Sequence, residues 1–304
     1  MKLRRGALAW TASPVLAVSV LIAVYGALGG RVHPEPSEAG VAVVASEAAT
    51  TEAPTPTGTV PPALAVVTAP SPTPTSSPPI ATPTATPSPS RVERSGSARV
   101  LDRGPATRPF VALTFDAGSD AGYTAQILDV LHAQGVTASF GITGRWAEQN
   151  PELLRRIVRE GHHLINHTYD HDSLTGLSTN AAPMTRTQRW SELDRTADAV
   201  RQIAGVDIGP YFRPPYGDYD ASVNADVYAR GYDYNVMWTV DSLGWRGISA
   251  DEIVARCLAN AQPGAIYIFH VGSASQDGNA LDRIITGLRR GGYGMGSVPQ
   301  LLGS

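Results

Sequence analysis

Lysine and cysteine are nearly missing from this chain of 304 residues. Lys2 is the only lysine, against twenty-three arginines. The folded part therefore has no amine for a Schiff base, for pyridoxal phosphate or for a phosphate-binding glycine loop, and those enzyme classes are excluded. Cys257 is the only cysteine, so no disulfide closes within the chain. Its helical spacing with Ile253, Val254, Leu258 and Ala261 predicts a core position. No Gly-x-Ser-x-Gly stretch occurs, which removes serine esterases built on a nucleophile elbow. The net charge of −3 gives no basic footprint for nucleic acid.

What is present divides into three parts. In residues 1–30, Lys2, Arg4 and Arg5 precede an uncharged run from Ala7 to Leu28, "ALAWTASPVLAVSVLIAVYGAL". That run is long enough to cross a bilayer core of about 30 Å. The cationic flank predicts a cytoplasmic N-terminus and an outside remainder, a single-pass anchor in the cell membrane. A cleaved signal peptide, with Val24 and Gly26 as small-residue positions, is the rival and would also export the rest. Residues 31–104 are a Pro/Thr/Ser/Ala-rich linker holding fourteen of the twenty-four prolines. Too few large apolar side chains are present to offset chain entropy, so a disordered, extended tether is expected. At roughly 3.1 Å per residue it would reach on the order of 200 Å. Residues 105–304 are long enough for one substantial domain, expected to be a monomer.

Along that domain strand and helix patterns alternate. "FVALTFDA" reads as a buried strand, "YTAQILDVLHAQG" as a helix stopped by Gly135, and "VTASFGIT" as a strand. "NPELLRRIVREG" is a helix with Asn150 as N-cap and Pro151 in its first turn. "HHLINH" and "PYFRPP" are strands flanking the helix "TRTQRWSELDRTADAVRQIAG", and a helix follows near 221–230. "DYNVMWTVD" is a strand, Ser249 caps "ADEIVARCLANA", "GAIYIFHV" is a strand and "ALDRIITGLRRGG" a helix. About seven such units predict an α/β fold on a parallel sheet, closed as a barrel or open and doubly wound.

The chemically capable residues fall in one place. Asp116, His167, Arg213, Asp241 and His270 each lie at or just past the C-terminal end of a predicted strand, the face that carries active sites in parallel barrels. Four of the seven histidines sit within "GHHLINHTYDH", residues 161–171. His167 and His171, four apart, are a candidate metal-ligand pair if they share a helical turn; a polar surface loop is the alternative. His270 offers an imidazole for proton transfer. Arg213 stands before Pro214 and Pro215 and suits the holding of a carboxylate in its charged form.

The order "TFDAG", "HTYDH", "RPPYG", "DSLGW", "FH" resembles the five motifs of the NodB-like polysaccharide deacetylases, over about 109–300. The resemblance implies a distorted (β/α) barrel and hydrolysis of acetyl groups, most often N-acetyl, from peptidoglycan or chitin-like polysaccharides. It also implies a divalent metal, commonly zinc. By position, Asp116 is similar to the catalytic base, His167 and His171 to metal ligands, Arg213 to the clamp on the base, and His270 to the acid serving the leaving amine. Tyr216 and Trp245, with Pro214, resemble the walls of the acetyl pocket.

Two positions depart from the pattern. Ala117 stands where the family usually has an Asp as third metal ligand, and Gly244 where it usually has an Asp orienting the acid histidine. Asp120 or Asp170 is the candidate replacement at the metal, and Asp241 the candidate at the histidine. The departures keep a second reading open, a carbohydrate-binding protein of the same fold without turnover. A glycosidase would leave Arg213 and the histidine pair without roles. The loop 172–186 is expected near the metal, with a part in subsite selection.

Overall fold

The computed structural model describes residues 94–303. The expected anchor and most of the expected linker lie outside these residues. Among the described residues no helix is long and apolar enough to cross a membrane.

Among the described residues nine strands form one sheet: β1 (Arg99–Leu101), β2 (Phe110–Ala117), β3 (Ser139–Ile142), β4 (His163–Asn166), β5 (Tyr211–Phe212), β6 (Tyr234–Val236), β7 (Val240–Asp241), β8 (Ile266–His270) and β9 (Gly294–Gly296). They run in the order β1-β6-β5-β4-β3-β2-β8-β7, with β9 also on β2, and every strand pairing is parallel. β1 and β7 end that order, so the sheet is an open, curled half-barrel rather than a closed ring of seven. The helices are α1 (Thr124–Gln134), α2 (Gly144–Gln149), α3 (Pro151–Arg159), α4 (Arg186–Ala204), α5 (Ala221–Ala229), α6 (Ala250–Ala259), α7 (Asp277–Arg290) and α8 (Val298–Leu302).

Local chemistry explains most boundaries. Thr185 with Gln188, and Ser249 with Glu252, make reciprocal capping boxes that start α4 and α6. α1 stops at Gly135, whose φ of 62° is the left-handed cap glycine adopts without cost. Asn150 does precede α3, but its side chain donates back to the Trp146 carbonyl of α2 instead of capping. Two boundaries differ from expectation. β1 pairs with β6 ahead of residue 105, so the folded part starts before the linker was expected to end. "DYNVMWTVD" is two strands, because Met237 donates to Leu101 beside β1 while Thr239 donates to Ile266 beside β8.

β2 is the hub, bonded to β3, β8 and β9. Phe115 stacks between Phe140 of β3 and Phe269 of β8, with ring centroids 5.2 Å away on each side. Each ring is fully buried against the helices, which contributes roughly 1.5–3 kcal/mol per side chain. Cys257 joins that core as expected, and burial pushes its thiol up to about 12, leaving it unreactive. Side chains alternate along a strand, so fixing Phe115 in the outer core turns its neighbours Thr114 and Asp116 toward the concave side.

Candidate active site

Asp116 is the last residue but one of β2 and its carboxylate is buried. Arg213, one residue beyond β5 and fully buried, donates from Nη1 to Asp116 Oδ1 at 2.7 Å and from Nη2 to Thr114 Oγ1 at 2.9 Å. Its Nε donates to the Val236 carbonyl at 2.8 Å, which fixes the plane of the guanidinium. Burial acts to raise the Asp116 carboxyl, but Arg213, with the His167 and His270 imidazoles, outweighs it and holds the group below its ordinary value. Gly141 on β3 leaves room for this pair; a side chain there would run into Asp116 Oδ1.

His167 follows β4 and is buried. Its Nδ1 lies 2.9 Å from the Arg213 carbonyl, which can only accept, so Nδ1 carries the proton and Nε2 keeps its lone pair. That lone pair faces Asp116 Oδ2 at 3.5 Å. Burial pushes His167 below its usual value and His171 down to about 4, so both are neutral at physiological pH. The two rings meet edge to face at 4.9 Å, and His171 meets Tyr216 at the same distance. The pair does not share a helical turn. Thr168 and His171 have φ of 65° and 64°, and this left-handed loop brings the imidazoles together.

Tyr216 and Leu243 are also left-handed, each with φ 61°. Among the described residues, four of the five non-glycine positions in this costly region thus fall at one site, as strained positions at functional centres do. Above Asp116 and His270 lies a cleft of about 380 Å³, lined by Pro214, Tyr216, Trp238, Asp241 and Trp245 among others. A second hollow of about 220 Å³ shares Asp116, His167, His171, Trp245 and His270 with it, so the floor is common to both. Tyr216 and Trp245 remain half exposed on the rim.

The structure therefore brings together Asp116, His167, His171, Arg213, Pro214, Tyr216, Asp241, Trp245 and His270. It does not bring Asp120 there. Both Asp120 carboxylate oxygens are taken by Ser273, from its amide at 2.8 Å and its hydroxyl at 2.6 Å. Asp170 is likewise held elsewhere, by Arg145 and Arg195. Asp241 is in the cleft but not in the expected role. Its Oδ1 accepts the Leu243 amide at 2.8 Å and its Oδ2 the Trp245 indole at 3.3 Å, which orients the rim tryptophan. The carboxylate beside His270 is Asp277, missed in the sequence because it opens a helix rather than ending a strand. Loop 172–186 is pinned by Asp218, which accepts from Ser173 at 2.5 Å and from the Ser178 amide at 3.0 Å. It does not line the cleft.

For a divalent cation, this site offers two neutral imidazoles and a carboxylate oxygen facing a histidine lone pair with no proton between them. A cation relieves that opposition, so His167 and His171 fit the role of ligands. Among the described residues no group of three or more His, Cys, Asp or Glu is placed to hold a metal. The remaining positions would fall to water, and the fit is that of a weakly held ion.

A curled parallel half-barrel with an arginine-held carboxylate and a histidine across one cleft defines a hydrolase-type acid–base site. The polysaccharide deacetylase family model matches residues 103–235. A peptidoglycan-N-acetylglucosamine deacetylase of Bacillus cereus is 33% identical over 202 residues, covering 65% of this chain and 70% of that protein. A peptidoglycan-N-acetylmuramic acid deacetylase of Bacillus subtilis is 34% identical over 199 residues, covering 63% and 71%. The crystal structure of a pseudoenzyme of this fold from Bacillus anthracis superposes with a TM-score of 0.62 at 27% identity, covering 68% of this chain and 69% of that one. The chain belongs to the polysaccharide deacetylase family, hydrolases acting on amide bonds.

Proposed function

We propose that this protein hydrolyses N-acetyl groups from a cell-envelope polysaccharide, peptidoglycan or a chitin-like glycan, on the outer side of the membrane that anchors it. The observation that carries the reading is the Asp116–Arg213 pair, buried at the floor of a cleft that His270 also lines. Asp116, kept ionised by Arg213, accepts a proton from the attacking water. His270 supplies a proton to the amine nitrogen as the C–N bond breaks. Gly217 and Asp218 spend their amides on Pro214 and Pro215, which leaves the Tyr216 amide as the candidate donor to the developing oxyanion. Tyr216 and Trp245 present flat faces to sugar rings on either side of the scissile acetyl group. His167 and His171 would hold a divalent cation, zinc by the chemistry of imidazole ligands; when bound it polarises the acetyl carbonyl and lowers the pKa of water.

A carboxylate held below its ordinary value is a weak base for free water. The reading therefore needs either the cation or strong oxyanion stabilisation. The test is acetate release from N-acetylglucosamine oligomers and peptidoglycan, with and without chelator. Release that stops in chelator and returns with zinc supports the full reading. A second reading, a glycan-binding protein without turnover, is favoured by Ala117 at the ligand position and by the likeness to a pseudoenzyme. Tight glycan binding with no acetate under any metal would establish it. Shortened sugar chains would point to glycosidase chemistry instead.

A further inference from the structure

Asp277 is the first residue of α7 and is fully buried. Its Oδ2 accepts the His270 amide at 2.8 Å and the Ser242 hydroxyl at 3.1 Å. Among the described residues its Oδ1 is buried without a hydrogen-bond partner, and so is His270 Nδ1. Oδ2 and Nδ1 stand 4.0 Å apart, just beyond a hydrogen bond. Such contacts at catalytic groups are often long before substrate binds and tighten in the complex.

Gly244 gives the second half of the argument. Its backbone is not left-handed, so conformation does not demand glycine here. Space does. A Cβ at 244 would run into Ser275 Oγ and would lie 2.5 Å from Asp277 Oδ1 and 2.6 Å from its Cγ. The Asp277 carboxylate, with the Ser275 hydroxyl, fills the volume in which a side chain at 244 would begin. Burial, the largest influence, pushes the Asp277 carboxyl up against its hydrogen bonds from the His270 amide and the Ser242 hydroxyl. A buried carboxylate of this kind gains from an imidazolium beside it.

We propose that Asp277 is the positioning carboxylate of His270, reaching from α7 into the space that glycine at 244 leaves open. This rests on His270 serving as the acid of the deacetylase reading. Asp277 holds the proton on Nδ1, so the proton given to the leaving amine comes from Nε2 and the ring ends neutral with Nδ1 still protonated. A helix N-terminus also favours an acidic residue in its first turn. The experiment must therefore separate orientation of the ring from helix stability.

Four full-length variants are compared with the parent: Asp277→Asn, Asp277→Ala, Gly244→Asp, and Gly244→Asp combined with Asp277→Ala. Each is assayed on an N-acetylglucosamine oligomer and on 4-nitrophenyl acetate, whose phenolate leaves without a proton. Loss of an outer-shell partner of a histidine typically costs about 10- to 100-fold. We expect kcat on the amide to fall by that much in both Asp277 variants, with KM little changed and a much smaller fall on the ester. Gly244→Asp alone should unfold at lower temperature, because two carboxylates compete for one space. The combined variant should regain amide activity over Asp277→Ala. Equal losses on both substrates, or no rescue by a combined variant that melts at the parent's temperature, would overturn the proposal. Nitrogen NMR of the His270 ring in the parent and in Asp277→Asn keeps the test independent of turnover and of whether Asp277→Ala folds. A shift of the proton between Nδ1 and Nε2 in a parent that releases no acetate would uphold the positioning and defeat the deacetylase reading. Unchanged ring signals in a parent active on the amide would do the reverse.

Discussion

Replacing Arg213 with methionine removes the charge but keeps an unbranched side chain of comparable reach. It strands Asp116, whose carboxylate is buried and has Arg213 as its closest donor, at 2.7 Å. Breaking a buried ion pair by deleting one partner costs about 3–5 kcal/mol. For a folded part of this size each kcal/mol moves the midpoint by roughly 2–4 °C, so a fall of about 6–20 °C is expected at neutral pH. The pH dependence carries the sharper test. In the parent the folded Asp116 carboxyl lies below its ordinary value, so the pair adds stability above the unfolded value of about 4 and loses it as pH falls through the folded one. In Arg213→Met, burial, the largest influence, is opposed only by the His167 and His270 imidazoles and pushes the carboxyl up, so folding is penalised above about pH 4 and the penalty fades below it. The deficit measured by urea unfolding should therefore be largest at pH 7 and smallest near pH 4. Combining Arg213→Met with Asp116→Asn removes the stranded charge, and the pair should show a coupling of roughly 0.5–3 kcal/mol. A deficit under about 1 kcal/mol that stays flat from pH 4 to 8, with additive single variants, would refute the reasoning.

Asp116→Asn keeps the shape of the base without its function, and initial rates on an acetylated oligomer should fall by at least about 10²-fold while the fold survives by circular dichroism. Ala117→Asp places a carboxylate directly after Asp116, at the position the family resemblance gives to a third ligand, and zinc titration by calorimetry should give tighter binding than in the parent. Asp120→Ala should leave that zinc titration unchanged, since its carboxylate serves Ser273, and should instead lower thermal stability modestly; weakened zinc binding would show that the loop rearranges around the metal. Cells producing the full chain should retain it in membranes after a high-salt wash; a mature form starting near residue 27 in the medium would show cleavage instead.

The rim residues were legible because parallel strands present their C-terminal ends on one side, and a polar residue closing an apolar run marks that end without knowledge of strand order. Arg213 could be matched to a carboxylate from its two prolines and its place, although its actual partner is 97 positions away. What stayed hidden depends on contacts between distant segments. Asp120 sits in a glycine-containing turn that can fold either way, and the residue that decides, Ser273, is 153 positions off. Asp277 reads as an ordinary polar residue opening a helix, and only the missing side chain at Gly244 hints that another carboxylate fills the gap. β9 is "GMG", with no pattern to mark it as a strand; glycine suits it because a Cβ on Gly294 would lie 2.8 Å from the Phe110 ring. The break between β6 and β7 falls inside a continuous run, since nothing local records that its two halves face different neighbours.

β2 is bonded to three other strands and carries Asp116 near its end, while Tyr216 and Trp245 stand on short, solvent-facing turns at the rim. Backbone amides in such a hub exchange with solvent only through global opening, whereas rim segments open locally at far lower cost. Mild denaturant or warming should thus silence the site before the sheet melts. The rim turns should open first and take the Tyr216 amide and the Trp245 ring with them, so turnover should be lost while the buried Asp116–Arg213 pair at the hub is still intact.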